Sequence, residues 1–242
     1  MTQHSKSPVS TYTGRNLHGQ VVNEMGRRIV GGVYAAGGLL PNEELLCQEL
    51  SVSRTALREA VKVLAAKGLL ESRPRVGTRV RTKDLWNLLD PDILAWRCAT
   101  GVDAEFLRHL MELREILEPA AASLAANSRS SDQLAAIGSA LSRMQFASNI
   151  SQWVEADLEF HTAILRATNN PLLMPLAAII GSALESLLAV SARRAGDFKR
   201  GFGDHQKVFQ AIEAGDAQSA LHRMAGMLSD TRTLMKSVVI EG

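Results

Sequence analysis

The chain has 242 residues, 46% hydrophobic and 21% charged, with a net charge of +2; this excludes a disordered or fibrous polypeptide and suits one or two domains with a sizeable core. No apolar run approaches the ~18 residues of a membrane span. The polar residues 1–14 read as a flexible tail without a signal-peptide core, and Cys47 and Cys98 are too few for a disulfide framework, so a cytoplasmic protein is expected. The charge is split: residues 1–83 hold 13 Lys+Arg against six Asp+Glu, net +7, and the remainder holds 14 against 19, net −5. A polyanion partner is therefore expected for the first third alone.

Leu17, Val21, Met25 and Ile29 recur every four residues, predicting an amphipathic helix that stops at Gly31-Gly32. "PNEELLCQEL" predicts a second helix, with Pro41 at its start and Glu43 and Glu44 where the helix dipole favours acid. Ser53 reads as the N-cap of a third, whose Leu57, Ala60, Val61 and Leu64 form an apolar stripe. On another face Arg54, Arg58 and Lys62 follow one another at four-residue intervals with no carboxylate on that line, and the dipole disfavours arginine in the first turns. Gly68 ends this helix, and "LLESRPRVGTRVRT" alternates and turns as a β-hairpin. Three helices and a basic hairpin make a winged helix-turn-helix over 15–81, its third helix entering a major groove N-terminus first. The arginines then face phosphates and base edges; the plain alternative is a solvated charged face, and the hairpin and the +7 segment favour DNA.

Residues 82–103 read as a connector, with a turn at Asp90-Pro91 and apolar anchors Trp86, Leu89, Ile93 and Trp96. Beyond it the pattern predicts helices near 104–126, 131–147, 150–168, 171–194, 204–214 and 216–238, so the fold class is mainly α: the winged domain followed by an all-helical bundle. Asp157 and His161 share one helix face at i, i+4, a common half of a metal site, and His205 is a candidate third ligand; capped or salt-bridged histidines are the bland alternative. His4, in the tail, His18, His109 and His222 have no such partner and read as structural or solvated. Arg114 borders an apolar face of Leu110, Leu113, Leu117 and Ala121 and needs an anion, which either Glu118 at i+4 or a ligand could supply.

"LLPNEELLCQELSVSRTALREAVKVLAAKGLLESRPRVGTRV" resembles the DNA-binding domain of GntR-family bacterial transcription factors, through Ser53-Arg54-Thr55, Arg58-Glu59, Gly68-Leu69 and Gly77-Thr78. The resemblance implies that Ser53, Arg54, Thr55 and Arg58 contact operator DNA and that the wing tip around Pro74, Arg75 and Gly77 reaches the minor groove. Glu44 stands where many relatives carry arginine, which implies a different half-site preference. The helical half resembles the FCD (FadR-type C-terminal) effector domain. There, Asp157, His161 and His205 match positions that bind a divalent metal, Zn or Ni, beside a small carboxylate. The last metal position falls on Met227, a poor ligand that leaves the set incomplete. The resemblance also implies that Arg114 holds the ligand carboxylate, with Arg232 as a second candidate. "WNLLDPDILAW", Met227 and Arg232 together resemble galactonate-operon repressors, which implies a sugar acid such as galactonate.

The expected function is a ligand-responsive, sequence-specific DNA-binding regulator, a homodimer on a palindromic operator that the ligand releases by binding two conformers unequally. Two rival classes are weaker. A metalloenzyme on Asp157, His161 and His205 lacks an HExxH pattern, a nucleophile elbow and a phosphate loop. An architectural DNA binder has no need of so large an acidic bundle.

Overall fold

The computed structural model describes residues 17–101, 104–181, 199 and 201–240. The expected tail with His4, and most of the helix expected over 171–194, lie outside the described residues. The chain forms two compact units, residues 1–102 and 103–242.

In the first unit, α1 (Leu17–Val30), α2 (Glu43–Leu50) and α3 (Arg54–Ala66) precede a hairpin of β1 (Leu70–Arg73) and β2 (Gly77–Val80), and α4 (Pro91–Ala99) follows. Asn42, not Pro41, starts α2: its side chain accepts the N–H of Leu45 at 2.9 Å, and Pro41 stands one place outside. Ser51 turns the chain through φ 53, and two residues later Ser53 caps α3 by accepting the N–H of Ala56. That spacing makes the tight turn between the two helices. Leu46, Leu57, Ala60 and Leu64 then close over Val22, Met25 and Ile29 of α1. Gly68, at φ 82, leads α3 into the hairpin, whose register runs from Leu70↔Val80, both buried, to Arg73↔Gly77 at the exposed tip.

The expected turn at Asp90-Pro91 is instead the start of α4. Asp90 accepts the N–H groups of Asp92 and Ile93, and Pro91 takes the first helical position, where its missing N–H is not needed. Trp96 lies flat on α1 at Gly26, where a Cβ would come 2.5 Å from the indole ring, and its Nε1–H donates to Asn23. Trp86, Ile93 and Trp96 are buried as expected. Leu89 is not: it is 53% exposed, because it stands in the irregular turn before the cap, where no helical period carries it inward.

The second unit is helical throughout its described residues: α5 (Ala104–Ser128), α6 (Ser131–Phe146), α7 (Ile150–Ala167), a single 3-10 turn at Met174–Leu176, α8 (Phe202–Ala214) and α9 (Ala217–Ile240). A capping box of Ser130 and Gln133 opens α6, Asn149 caps α7, and Gly215 at φ 72 separates α8 from α9. Ala121, Ala122, Ala125 and Ala126 give α5 a small-residue inner face, so that α7 and α9 approach closely around Phe160, Ile164, Met224 and Leu228. No helix among the described residues is long and apolar enough to cross a membrane.

Candidate functional site

The face expected to meet DNA is formed by the start of α3 and the wing. Ser53, Arg54, Thr55 and Arg58 are all exposed there, and so are Pro74, Arg75 and Gly77 at the hairpin tip, where Arg75 adopts φ 66 and Gly77 φ 107. The basic line along α3 is not unpaired, contrary to expectation. The Arg58 Nε–H donates to Glu43 of α2 at 2.9 Å, and the Lys62 ammonium reaches Glu59 at 2.7 Å. The partners come from a neighbouring helix and from i−3, off the four-residue line that the periodicity exposes. The hydrogen bond to Glu43 and its charge raise the pKa of Arg58, which stays cationic. Both pairs are solvent-exposed, so each is worth little and yields readily to a phosphate. Glu44 is exposed in the first turn of α2, next to Glu43.

The second unit buries five charged or ionisable side chains together. Arg114 and Glu118 come from α5, Asp157 and His161 from α7, and His205 from α8; none is more than 8% exposed. Helical spacing sets the two pairs on α5 and α7, since i and i+4 lie on one face. The Arg114 Nε–H donates to Glu118 Oε1 at 2.5 Å, and its Nη2 lies 3.4 Å from His161 Nε2. His161 stands between two carboxylates: Glu118 Oε2 is 2.5 Å from Nδ1, close but poorly aligned for a hydrogen bond, and Asp157 Oδ1 is 3.2 Å from Nε2. The same Asp157 oxygen lies 2.9 Å from His205 Nε2, while the His205 Nδ1–H donates to the Gly201 carbonyl at 2.8 Å. Phe160 and Trp153 present ring edges or faces to His205 and keep the centre dry.

At Arg114, Glu118, Asp157 and His161 burial opposes the charge, and pairing overrides it. Burial would raise the Glu118 pKa, but Arg114 and His161 pull it down to about 2. Burial would lower that of His161, but Glu118 and Asp157 push it up to about 9. Asp157 is held well below the usual carboxylate range against burial, by hydrogen bonds from His161 and His205. Two nitrogens are left over: Nη1 of Arg114, like Nδ1 of His161, is buried with no hydrogen-bond partner.

Asp157, His161 and His205 each bring one donor atom within 4.8 Å of the others, a set that could hold a metal ion. Two imidazole nitrogens and a carboxylate suit Zn²⁺ or Ni²⁺. The surroundings fit as well. The Gly201 carbonyl occupies one nitrogen of His205, Glu118 faces Nδ1 of His161, and the two Nε2 atoms are left converging on Asp157.

The remaining expected site residues are elsewhere. Arg232 pairs with Glu115 at 3.0 Å and its side chain is 40% exposed, so it is not brought to the buried cluster. Met227 is buried in the bundle core and borders a cavity of about 230 Å³ that Asp204, Lys207 and His222 also line. His222 and His109 are exposed. The contact between Glu118 and His161 was not legible in the sequence. Glu118 carried a local signal only as a partner for Arg114.

Comparison with known proteins assigns these two arrangements. Residues 17–80 match the model of bacterial regulatory proteins of the gntR family, and residues 109–230 match the FCD domain. The galactonate operon transcriptional repressor of Escherichia coli (strain K12) is 31% identical over 226 residues, covering 92% of this chain and 98% of that protein. The HTH-type transcriptional regulator YieP of the same organism is 32% identical, covering 88% and 93%. The solved structure of E. coli McbR/YncC superposes with a TM-score of 0.55 at 19% identity, covering 92% of this chain and 98% of that one, and shows the shared fold. The chain therefore belongs to the GntR family, with an FCD domain in its C-terminal half, and is a ligand-responsive DNA-binding transcriptional regulator and not an enzyme.

Proposed function

We propose that this regulator represses a sugar-acid or related carboxylate catabolic operon and leaves its operator when the acid enters the helical bundle. The observation that carries the reading is the buried, partnerless Nη1 of Arg114 beside Asp157, His161 and His205. A guanidinium N–H left unpaired in a dry site is costly, and a carboxylate oxygen is its natural acceptor. Asp157, His161 and His205 would hold one divalent ion, Zn or Ni, which when bound supplies a Lewis acid for carboxylate and hydroxyl oxygens. Arg114 takes the carboxylate. Glu118 orients both Arg114 and His161. Arg232 joins only by exchanging Glu115 for the ligand. The 31% identity to a galactonate operon repressor supports a polyhydroxy acid such as galactonate.

On the DNA side, Ser53, Arg54, Thr55 and Arg58 read the major groove, and Pro74, Arg75 and Gly77 place the wing in the minor groove. The reader spans 15–81; residues 82–103, whose α4 packs in the core of the same unit, lead on to an effector and dimerisation domain over 104–242. Two copies meet a palindrome with half-sites about one helical turn apart. The acid weakens DNA binding by preferring the conformer that fits the operator less well. A thermal-shift screen of aldonic and uronic acids, with and without added Zn²⁺, tests the reading. The expected result is a rise in melting temperature with one class of acid and, for the same acid, release of operator in a gel-shift titration. An acid that binds and tightens operator binding, or a panel without effect, overturns it.

A further inference from the structure

Lys67 counts among the basic residues of the +7 segment, but it does not face solvent as a phosphate contact would. It is the C-cap of α3, and its ammonium lies 3.0 and 2.9 Å from the two oxygens of Asp90 and 2.7 Å from Asp92 Oδ2. The side chains of Lys67, Asp90 and Asp92 are only 13%, 15% and 5% exposed. Asp90 also caps α4, so one carboxylate holds the end of α3 and the start of α4 together. The next residue, Gly68, runs close against the chain before α4: a Cβ there would stand 3.4 Å from the Leu85 carbonyl, in a backbone conformation of φ +82. Trp96 fastens the other end of α4 to α1 through Gly26 and Asn23. The trailing end of α3 is thus clasped to a helix that is itself seated in the core of the same unit.

We propose that Lys67 is a positioning residue for operator reading, pinning the trailing end of α3 to α4 through Asp90 and Asp92 and so setting the angle at which Ser53 and Arg54 enter the groove. A lever argument gives the scale. The 13 residues of α3 span about 20 Å at 1.5 Å per residue. A pivot of ~10° at the clasp therefore carries Arg54 about 3.5 Å sideways, many times the roughly 0.5 Å over which hydrogen-bond lengths range. Burial brings a second consequence. Lys67 acts without touching phosphate, so its loss lowers affinity without lowering the number of counterions released.

The proposal rests on α3 being the recognition helix, and the test separates the two. An operator duplex is first selected from random sequence with the full-length wild-type chain. Its affinity, and that of a scrambled duplex of equal length, is then measured against salt for wild type, K67M, K67R, D92N and R54A. K67M is expected to lose about tenfold or more in operator affinity, the cost of one good base contact, with an unchanged salt slope and unchanged affinity for the scrambled duplex. D92N should lose affinity in the same way, and K67R, which keeps the charge, should recover part of it. Wild-type affinity in K67M with only a lower melting temperature would make the clasp structural. A salt slope reduced by about one would make Lys67 a phosphate contact. Either result overturns the proposal. If circular dichroism finds K67M unfolded, D92N carries the test with the same two outcomes, since it leaves the cap by Asp90 in place. Loss in R54A without loss in K67M rejects the clasp alone; full affinity in R54A rejects the reading of α3 as well.

Discussion

On the proposed reading Arg114 has two duties, structural and chemical, and its variants should separate them. Its Nε–H satisfies Glu118 while Nη1 stays unpaired, so truncation removes a buried charge partner as well as the ligand's anchor. Arg114→Ala should destabilise the helical unit by about 3–5 kcal/mol, the cost of removing one partner of a buried ion pair, although His161 stays beside Glu118. Arg114→Lys keeps the charge and loses the planar fork. In a thermal melt it should fall less than the alanine variant, yet it should lose the shift caused by the acid. If Arg114→Lys responds to acid like wild type, the fork is not the anchor. His161 supplies a second prediction, through proton linkage. Its pKa is raised from the ordinary 6.5 to about 9 by Glu118 and Asp157, so its ion pairs stabilise the metal-free protein fully below pH 6.5 and are lost as pH rises through 9. Glu118 works the other way: held at about 2, it contributes above its ordinary value of 4.5 and is lost as pH falls toward 2. A metal requires the neutral imidazole, so uptake of Zn²⁺ near pH 7.5 should release at least the proton that His161 carries and tighten as pH rises. Calorimetry in two buffers of different ionisation enthalpy measures that proton. Uptake without proton release, or undiminished metal content in His161→Ala, would place the ion elsewhere.

At the scale of elements, what the sequence made legible was local. Ser53, Gly68 and Gly215 act on their own turns, and each stops or starts a helix where the residue pattern says it should. Asp157 and His161 share a face by helical spacing alone. What depended on neighbours distant in sequence was not legible. Pro91 reads equally well as a turn or as the first residue of a helix, and α4 forms because Trp96 finds Gly26, seventy residues back in the chain. Glu43 reaches Arg58 only once α2 and α3 are folded together, and Glu118 meets His161 only because α5 packs on α7. Gly26 gives this lesson an experimental form. Gly26→Ala should stabilise an isolated helix, as alanine generally does. Here the added methyl meets an indole ring at 2.5 Å, and overpacking of that kind costs about 1–3 kcal/mol. The variant should therefore unfold at lower urea concentration than wild type, with the loss confined to the transition of the DNA-binding unit. A gain in stability would mean that α4 leaves α1 at little cost, and the helix would return to being a tether.

The whole molecule joins an electropositive reader to an acidic sensor in one chain, net +7 against −5, and the two should answer to salt differently. Arg54, Arg58 and Arg75 are exposed, and the ion pair of Arg58 with Glu43 is open to water, so the surface proposed to meet DNA is screened by salt. Each phosphate neutralised releases condensed counterions, and in the proposed dimer two readers share the contacts. With six or more phosphates engaged per dimer, operator affinity should fall about a thousandfold between 50 and 200 mM salt. Arg114, the proposed anchor of the acid, is 2% exposed, where screening barely reaches, so on that reading the acid's affinity should change by no more than a few-fold over the same range. Raising salt therefore moves the protein off DNA without emptying the sensor, a state the ligand alone does not produce. Fluorescence anisotropy with labelled operator and calorimetry with the acid, run across one salt series, measure the two slopes independently. Arg58→Ala gives the matching single-residue test: it should cost about 1–3 kcal/mol of operator affinity at every salt concentration and leave acid binding unchanged. A shallow operator slope would mean that base contacts rather than phosphates dominate the interface. A steep slope for the acid would mean that it binds at the exposed Arg232 rather than at Arg114.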